Sequence, residues 1–532
     1  MSVRPSTGPV DFPTSASMLG EQPEAEAKGR CRTEEREVQM NRSIVLVTLL
    51  AGLCAAGVIR VPSEQPTIQA GLAAAGAGDT VLVAPGTYPE RITWPALDGI
   101  VLLSEQGAGS TTIDGGRAGR VLTMNALGYT AATMVQGFRV TNGQATGSAA
   151  GVSCRGTPVF IGNEIVDNLG LQGTTGGGVY ADGAPLFAYN LIARDSLWVA
   201  DMAGFRYGGG VYCTGSGVFY QNVFADNAVF DSSCSGFRYG GALHLAGGTP
   251  LVFCNLFLRN SARMIDGSGF AYGGAVCVDD AVAACIVNNT FVGNVCSAHI
   301  TYGGAVYAPW GATVIENNIF VQDSCLGSGS GGAIASDTTA MLVDYNDAWQ
   351  NYPDDYYECT AGPNSLSADP LFVAAPLGDW CLSQTAAGQP EDSPCLDAGD
   401  TLPAIAALDL DSLIHAWTTR TDSVPDAAAI DIGYHYPPAP PTGMAAGPTR
   451  QPPVPALTAV PSPASGATVR LAGPLGRFVA VYDASGRRVI ERRLTVNGDG
   501  ALLDISRLAA GVYVLRTNLG GRSSLGRLVV RR

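Results

Sequence analysis

Lysine is almost missing from this chain. The single copy, Lys28, lies near the start, so 532 residues rely on arginine for nearly all positive charge. A Schiff-base lysine, a phosphate-loop lysine and a lysine general base are therefore excluded from the folded part. Charge of either sign is sparse at 14%, and the formal balance of −15 removes the basic surface that a nucleic-acid backbone needs, so no nucleic-acid partner is expected. Histidine occurs four times, and the 13 cysteines include no Cys-x-x-Cys pair. A zinc site thus lacks a ligand set, and no metal or other cofactor is expected. The apolar run Ile44 to Leu53 is too short to span a bilayer comfortably.

What is abundant points to strands. With 46% hydrophobic residues the chain can build a core, while 68 Gly and 32 Pro disfavour helical bundles and mark turns between short strands. Residues 40–57 read as a cleaved secretory signal, with Arg42 before the apolar run and Ala55, Ala56 and Gly57 at its exit. Residues 1–39 are polar and aperiodic, a non-native or disordered extension ahead of a start at Met40. From Val460 onward 12 Arg stand against 4 acidic residues, a surplus of 8 that leaves −23 on everything before it. The two parts are separate domains.

The strongest signal is a repeat. A step of Asn, an apolar pair and a closing Asn or Asp five residues later recurs from Asn163, Asn190, Asn222, Asn255, Asn289, Asn318 and Asn346. About eleven residues before most of these stands a Gly pair, as in Gly209-Gly210, Gly240-Gly241 and Gly273-Gly274. Units of 27 to 34 residues with short alternating apolar runs predict about seven stacked coils with two or three strands each, since one unit cannot bury its apolar face alone. In such a stack the repeated Asn bonds to its equivalent one coil away, a structural role.

The register makes further predictions. Cys296 and Cys325 each lie seven residues after a repeat Asn in adjacent coils and are a candidate disulfide; Cys381 and Cys395 are a second. Tyr180, Tyr212, His244, Cys277 and Tyr307 share one position beside the inward-facing residue, so alternation sends them outward as a ladder. Length varies only between the Asn step and the next Gly pair, which places projecting loops there. Those loops carry Arg206, Tyr207, Arg238, Tyr239 and Tyr272, with Asp201, Asp231 and Asp266; Asp279-Asp280 is the one adjacent acidic pair of the regular coils. Tyrosine with Arg and Asp beside it suits sugar rings, whose apolar faces pack on aromatics while their hydroxyls need polar partners. The competing expectation is that the ladder simply covers the flank of the solenoid and packs on neighbouring loops.

Three segments carry resemblances. Ile59 to Ala75 with Gly78 to Glu90 resembles the N-terminal cap of pectate-lyase-like right-handed β-helix proteins, with 67–75 as a short helix plugging the open end. Ala368-Asp-Pro-Leu-Phe372, Ser393 to Asp400 and Asp431-Ile-Gly-Tyr-His-Tyr436 resemble the closing segment of a bacterial surface β-helix family. Pro461-Ser-Pro463, Val479 to Arg487, Leu503 to Leu508 and Gly511-Val-Tyr-Val514 resemble the C-terminal sorting domain of type IX secretion substrates, although Ser462 stands where that family usually has Asn.

These resemblances imply an all-β chain: a right-handed parallel β-helix over 58–436, a Pro-rich linker over 437–459 and a small immunoglobulin-like β-sandwich over 460–532. They also imply export through outer-membrane secretion machinery that reads residues 460–532. The lyase and polygalacturonase signatures of the fold are absent. The expectation is a monomeric secreted or surface protein that binds extracellular polysaccharide or adheres without catalysis. The alternatives are a polysaccharide lyase or glycoside hydrolase acting on an acidic polymer, with Asp182 joining the loop acids and Ca²⁺ if a lyase, and a structural stalk.

Overall fold

The computed structural model describes residues 57–437, apart from 173–174, 200–203, 232–235, 265–268, 280–281, 339–340, 401–410 and 427–428, together with most of 458–530. The expected signal at 40–57, save Gly57, the extension before it and most of the linker lie outside the described residues. The chain divides into two compact units, Met1–Pro448 and Thr449–Arg532.

The first unit is a parallel β-solenoid. One coil runs through Val211–Cys213 in sheet I, Val218–Tyr220 in sheet II, Val223–Ala225 in sheet III, Ala228–Asp231 in sheet IV and Gly236–Tyr239 in sheet V. Successive coils add one strand to each sheet, giving 10, 11, 10, 7 and 4 strands in that order. The stack therefore extends beyond the seven coils marked by the Asn step. In the turn before Asn163, Phe138 takes the Asn register and is buried, and its N–H still bonds to Asn163 Oδ1 at 3.0 Å.

Inside the stack, period-two alternation turns one residue of each short strand inward, so like sits on like. Phe160, Phe187 and Phe219 stack in sheet II at 4.7 and 5.5 Å; Phe224, Phe257, Phe291 and Phe320 stack in sheet III at 4.7 Å each. All seven are essentially fully buried, and each contributes about 1.5–3 kcal/mol through that burial.

Two of the corners between sheets, II/III and III/IV, are built by one device. A residue in the left-handed region turns the chain, and an Asn or Asp follows it. At the II/III corner these residues include Tyr189, Gln221, Cys254 and Asn288 with φ of 46° to 57°; at the III/IV corner they include Asp167, Arg194, Asp226 and Arg259 with φ of 54° to 62°. For non-glycine residues this conformation costs roughly 1–2 kcal/mol, and the Asn that follows offsets it. Asn222 Oδ1 accepts from Asn190 N and Nδ2 at 2.9 and 3.0 Å, while its own Nδ2 donates to Phe187 O at 2.9 Å and Asn255 Oδ1 at 3.0 Å. The same bonds recur from Asn163 to Asn318, ending on Asn346, with every member buried.

The open end is covered as the cap resemblance implies. Helix α1, Ile68–Ala74, starts at Thr67, whose hydroxyl accepts from Ala70 N, and the Glu90 carboxylate accepts from the N–H groups of Ile68 and Gln69 at 2.9 Å. These bonds satisfy donors that a helix start leaves free. Ile68, Gly71 and Leu72 are buried; a Cβ on Gly71 would stand 2.9 Å from Val81, so only glycine lets the helix sit this close. The first strand of the stack is Val58–Val61, paired with Thr80–Val83, one strand earlier than the motif at Thr80 suggests.

Later in the chain, residues 429–436 form a strap along the II/III corner. Tyr434 donates to Gln221 Oε1 at 2.6 Å, Gln221 Nε2 donates to His435 O, Asn288 Nδ2 donates to Asp431 O, and Gly433 N donates to Asn317 O at 2.8 Å. One segment thereby ties several coils through their left-handed corner residues. Among the described residues no helix is long and apolar enough to cross a membrane.

Neither expected disulfide is present. Cys296 and Cys325 are register partners, as the spacing requires, yet both are thiols. Each thiol is taken by a carbonyl of the following loop: Cys296 Sγ donates to Gly303 O at 3.2 Å and Cys325 Sγ to Ser330 O at 3.4 Å. Cys381 and Cys395 belong to different apolar clusters, with Cys381 Sγ facing Arg420 O and Cys395 Sγ donating to Asp347 Oδ2 at 3.3 Å.

The second unit holds two antiparallel four-stranded sheets. One is ordered Thr458–Val460, Thr468–Ala472, Gly500–Asp504, Val496–Asn497; the other Arg488–Arg493, Phe478–Tyr482, Gly511–Leu519, Arg522–Val530. Leu471 and Leu503 from the first and Val479 and Val481 from the second are buried.

Candidate functional site

The outward ladder of sheet I exists, but sheet V covers much of it. Tyr180, Tyr212 and His244 stack at 5.7 and 5.3 Å, and the row continues through Cys277 and Tyr307. In sheet V alternation splits Phe-Arg-Tyr into two faces. Tyr207, Tyr239, Tyr272 and Tyr302 form a column at 5.1, 5.0 and 5.8 Å, and Phe205, Phe237 and Phe270 form a second column at 4.9 Å beside it. The Tyr column closes onto sheet I: Tyr207 lies 4.7 Å from His244 and 5.7 Å from Tyr212, and Tyr272 4.6 Å from Tyr307. His244, Cys277 and Tyr307 are therefore buried rather than presented to solvent.

Arg206 and Arg238 must be moved off the expected sugar-facing surface. They take the opposite face of sheet V, 5% and 0% exposed, where Arg206 Nη1 donates to Phe205 O and Arg238 Nη1 to Phe237 O and Gly204 O. The reason is the period of the strand: with Phe and Tyr outward at i and i+2, the residue between them points in. Ala271, at the same position one coil on, clusters with Ala262, Cys296 and Cys325 on that inner side. Asp201, Asp266, Asp280 and the side chain of Asp231 lie outside the described residues.

A polar row runs beside the ladder, two residues further along each strand of sheet I. Arg155 Nε meets Asp182 Oδ2 at 3.1 Å, Thr214 donates to Asp182 Oδ1 at 3.0 Å, Asp279 Oδ1 stands 3.0 Å from His244 Nε2, and Tyr307 donates to Asp337 Oδ2 at 2.9 Å. The His244 to Asp279 approach is too oblique to be a hydrogen bond, and His244 Nδ1 has no partner. Sequence reasoning missed Arg155, Thr214 and Asp337; the signal was available in the i+2 positions after Ser153, Tyr212 and Ala335.

The tyrosines are neutral donors. Burial, followed by Asp279, pushes the Tyr212 hydroxyl up to about 12; burial, followed by Tyr302, pushes Tyr272 up to about 12; burial and then Asp182 raise Tyr180. Phenolates are disfavoured here, so these groups suit hydrogen-bond donation to ligand oxygens better than proton abstraction. Among the described residues, the one group of three metal-capable side chains is Asp426, Asp431 and His435, buried where the strap lies along the II/III corner.

Stacking also decides which rings can meet a sugar. A ring inside a column has both faces occupied, while a ring at the column's end keeps one free. Tyr180 is such an end, with Ser153 as its register neighbour on the open side. Phe205 is another, 49% exposed, and it lies side by side with Tyr207 at 6.2 Å, parallel within 4°.

Residues 459–531 match the family described as secretion system C-terminal sorting domain. No curated protein and no solved structure matches the chain. The chain thus carries a type IX sorting domain, which indicates export to the cell surface or extracellular space and engagement with the secretion machinery, on a β-solenoid.

Proposed function

We propose that the solenoid is a noncatalytic polysaccharide-binding or adhesion module displayed at the cell surface, and that it contacts glycan at the first coil of its lateral aromatic columns. The observation that carries this reading is the pair Phe205 and Tyr207: two parallel rings side by side, one of them half exposed, at the end of their columns. Tyr180 and the Arg155–Asp182 pair in sheet I supply hydroxyl and charged partners of the kind that sugar hydroxyls need. The outer-surface address puts such a module among extracellular polymers.

Affinity electrophoresis of the full chain against a panel of neutral and acidic polysaccharides tests it. One class of polymer should retard the protein, and Phe205→Ala should weaken that retardation about tenfold, the worth of one stacking contact. Phe237→Ala, which removes a ring covered on both faces, should leave it within about twofold. Equal loss from both variants would sink the end-of-column site. Release of reducing ends or unsaturated products by the folded protein would make it a hydrolase or lyase instead.

A further inference from the structure

The III/IV corner ladder contains two residues that break its hydrogen-bond code. An asparagine there uses Oδ1 to accept from the coil before and Nδ2 to donate twice. Asn227 Nδ2 donates to Ile192 O at 2.8 Å and to Asn260 Oδ1 at 3.0 Å, and Asn260 and Asn294 repeat the pattern. At Asp195 and Asp323 one oxygen behaves as expected. Asp195 Oδ1 accepts from Asn168 N and Nδ2, and Asp323 Oδ1 accepts from Asn294 N and Nδ2, all at 2.7 to 2.9 Å.

The other oxygen, Oδ2, stands where an amide nitrogen belongs. Register places it against two acceptors, the next ladder oxygen and the carbonyl of Ile165 or Phe291. The next ladder oxygens, Asn227 Oδ1 and Asn351 Oδ1, already accept from the backbone N–H of Asp195 and Asp323. Both Oδ2 atoms are buried without a partner, and both residues have no solvent exposure. A carboxylate in that place would set three oxygens against one another in a medium that penalises charge. A carboxylic acid has the missing donor.

We infer that Asp195 and Asp323 are held in the folded stack as neutral carboxylic acids, each donating its Oδ2 hydroxyl along the ladder where asparagine donates an amide N–H. The charged groups nearby do not rescue an anion. Asp167 and Arg194 face Asp195, but they are bonded to each other at 2.7 and 2.9 Å on the exposed side. Asp323 has Asn294 and Asn351 on either side, and beyond Asn351 the carboxylate of Asp355. Burial, the largest cause for both, pushes the two carboxyls well above their ordinary range.

The linkage has a definite sign. A carboxyl raised in the folded state is no burden below its unfolded value of about 3.9, and above that each such group weakens folding roughly tenfold per pH unit until its folded-state pKa is reached. Two asparagines in place of the acids remove that slope. Urea titrations of the full chain from pH 4 to pH 7 should therefore show Asp195→Asn/Asp323→Asn gaining on wild type by up to roughly a hundredfold in the folding constant per pH unit, each single variant by about tenfold. The reverse variant, Asn227→Asp, should acquire the slope and remain folded at pH 4. Infrared spectra at pH 7 should carry a protonated-carboxyl stretch that the double variant loses. A gap that is flat in pH or widens toward acid, or a wild-type spectrum without that stretch, would overturn the inference.

Discussion

The corners of the solenoid and its lateral flank solve the same stacking problem with different materials. At the II/III corner one residue type repeats from Asn163 to Asn346, every member is buried, and each bonds to the next. On the flank the repeated residues are aromatic, sheet V has four strands among the described residues, and Phe205, the first ring of its Phe column, is 49% exposed. A buried polar ladder tolerates no gap, because each missing group leaves its neighbours desolvated and unpaired. An aromatic column is held by dispersion and area, and it can stop at any coil. The corner therefore carries stability, and the flank can carry recognition.

The sharpest way to break the corner is in its middle. Asn255→Leu removes the acceptor for Asn222 N and Nδ2 and the donor to Phe219 O and Asn289 Oδ1. With roughly 1–3 kcal/mol for each buried group left unpaired, a loss of about 4 kcal/mol is expected in chemical denaturation, with a lower midpoint and an unchanged slope. The same truncation on the flank, Phe237→Ala, should cost less.

The strap tests whether the corner is reinforced from outside. His435 is fully buried, with Nε2 3.1 Å from Asp426 Oδ2 and Nδ1 on Gly433 O. Burial alone would lower this imidazole, but its contacts with Asp426 and Cys254 outweigh that and bring it to about 10. A histidine raised in the folded state contributes stability that is complete below its unfolded value of about 6.5 and is lost as pH rises through about 10. Limited proteolysis within 401–436 should therefore accelerate across that window. His435→Gln should show the fast rate already at pH 7 and lower stability by about 3 kcal/mol, the usual result of removing one member of a buried charged pair.

The contrast also explains what could be read from the residues. Coil stacking, the Asn ladder and the register of Cys296 with Cys325 follow from spacing, because a parallel stack puts equal positions one strand apart. The left-handed corner residues were not legible: Tyr189, Cys254 and Arg194 carry no chemistry that marks a positive φ, and only the Asn or Asp after them offsets its cost. The aromatic ladder was legible as a row, with packing on neighbouring loops as one of its two readings, but nothing local to Tyr212 or His244 says that a whole sheet folds back over them. Arg206 and Arg238 failed for a simpler reason. Proximity in sequence to Tyr207 and Tyr239 suggested a shared surface, whereas alternation puts neighbours on opposite faces.

That last point gives the smallest and most discriminating prediction. Arg238→Met keeps the aliphatic stem and removes the donor to Gly204 O and Phe237 O, so sheet V should loosen by about 1–2 kcal/mol, read as faster hydrogen exchange over 236–239. Because the guanidinium lies on the face away from Phe205 and Tyr207, glycan retention should stay within about twofold of wild type. A tenfold loss with sheet V still protected would put this arginine on the ligand side and would reopen the division between a corner that stabilises and a flank that recognises.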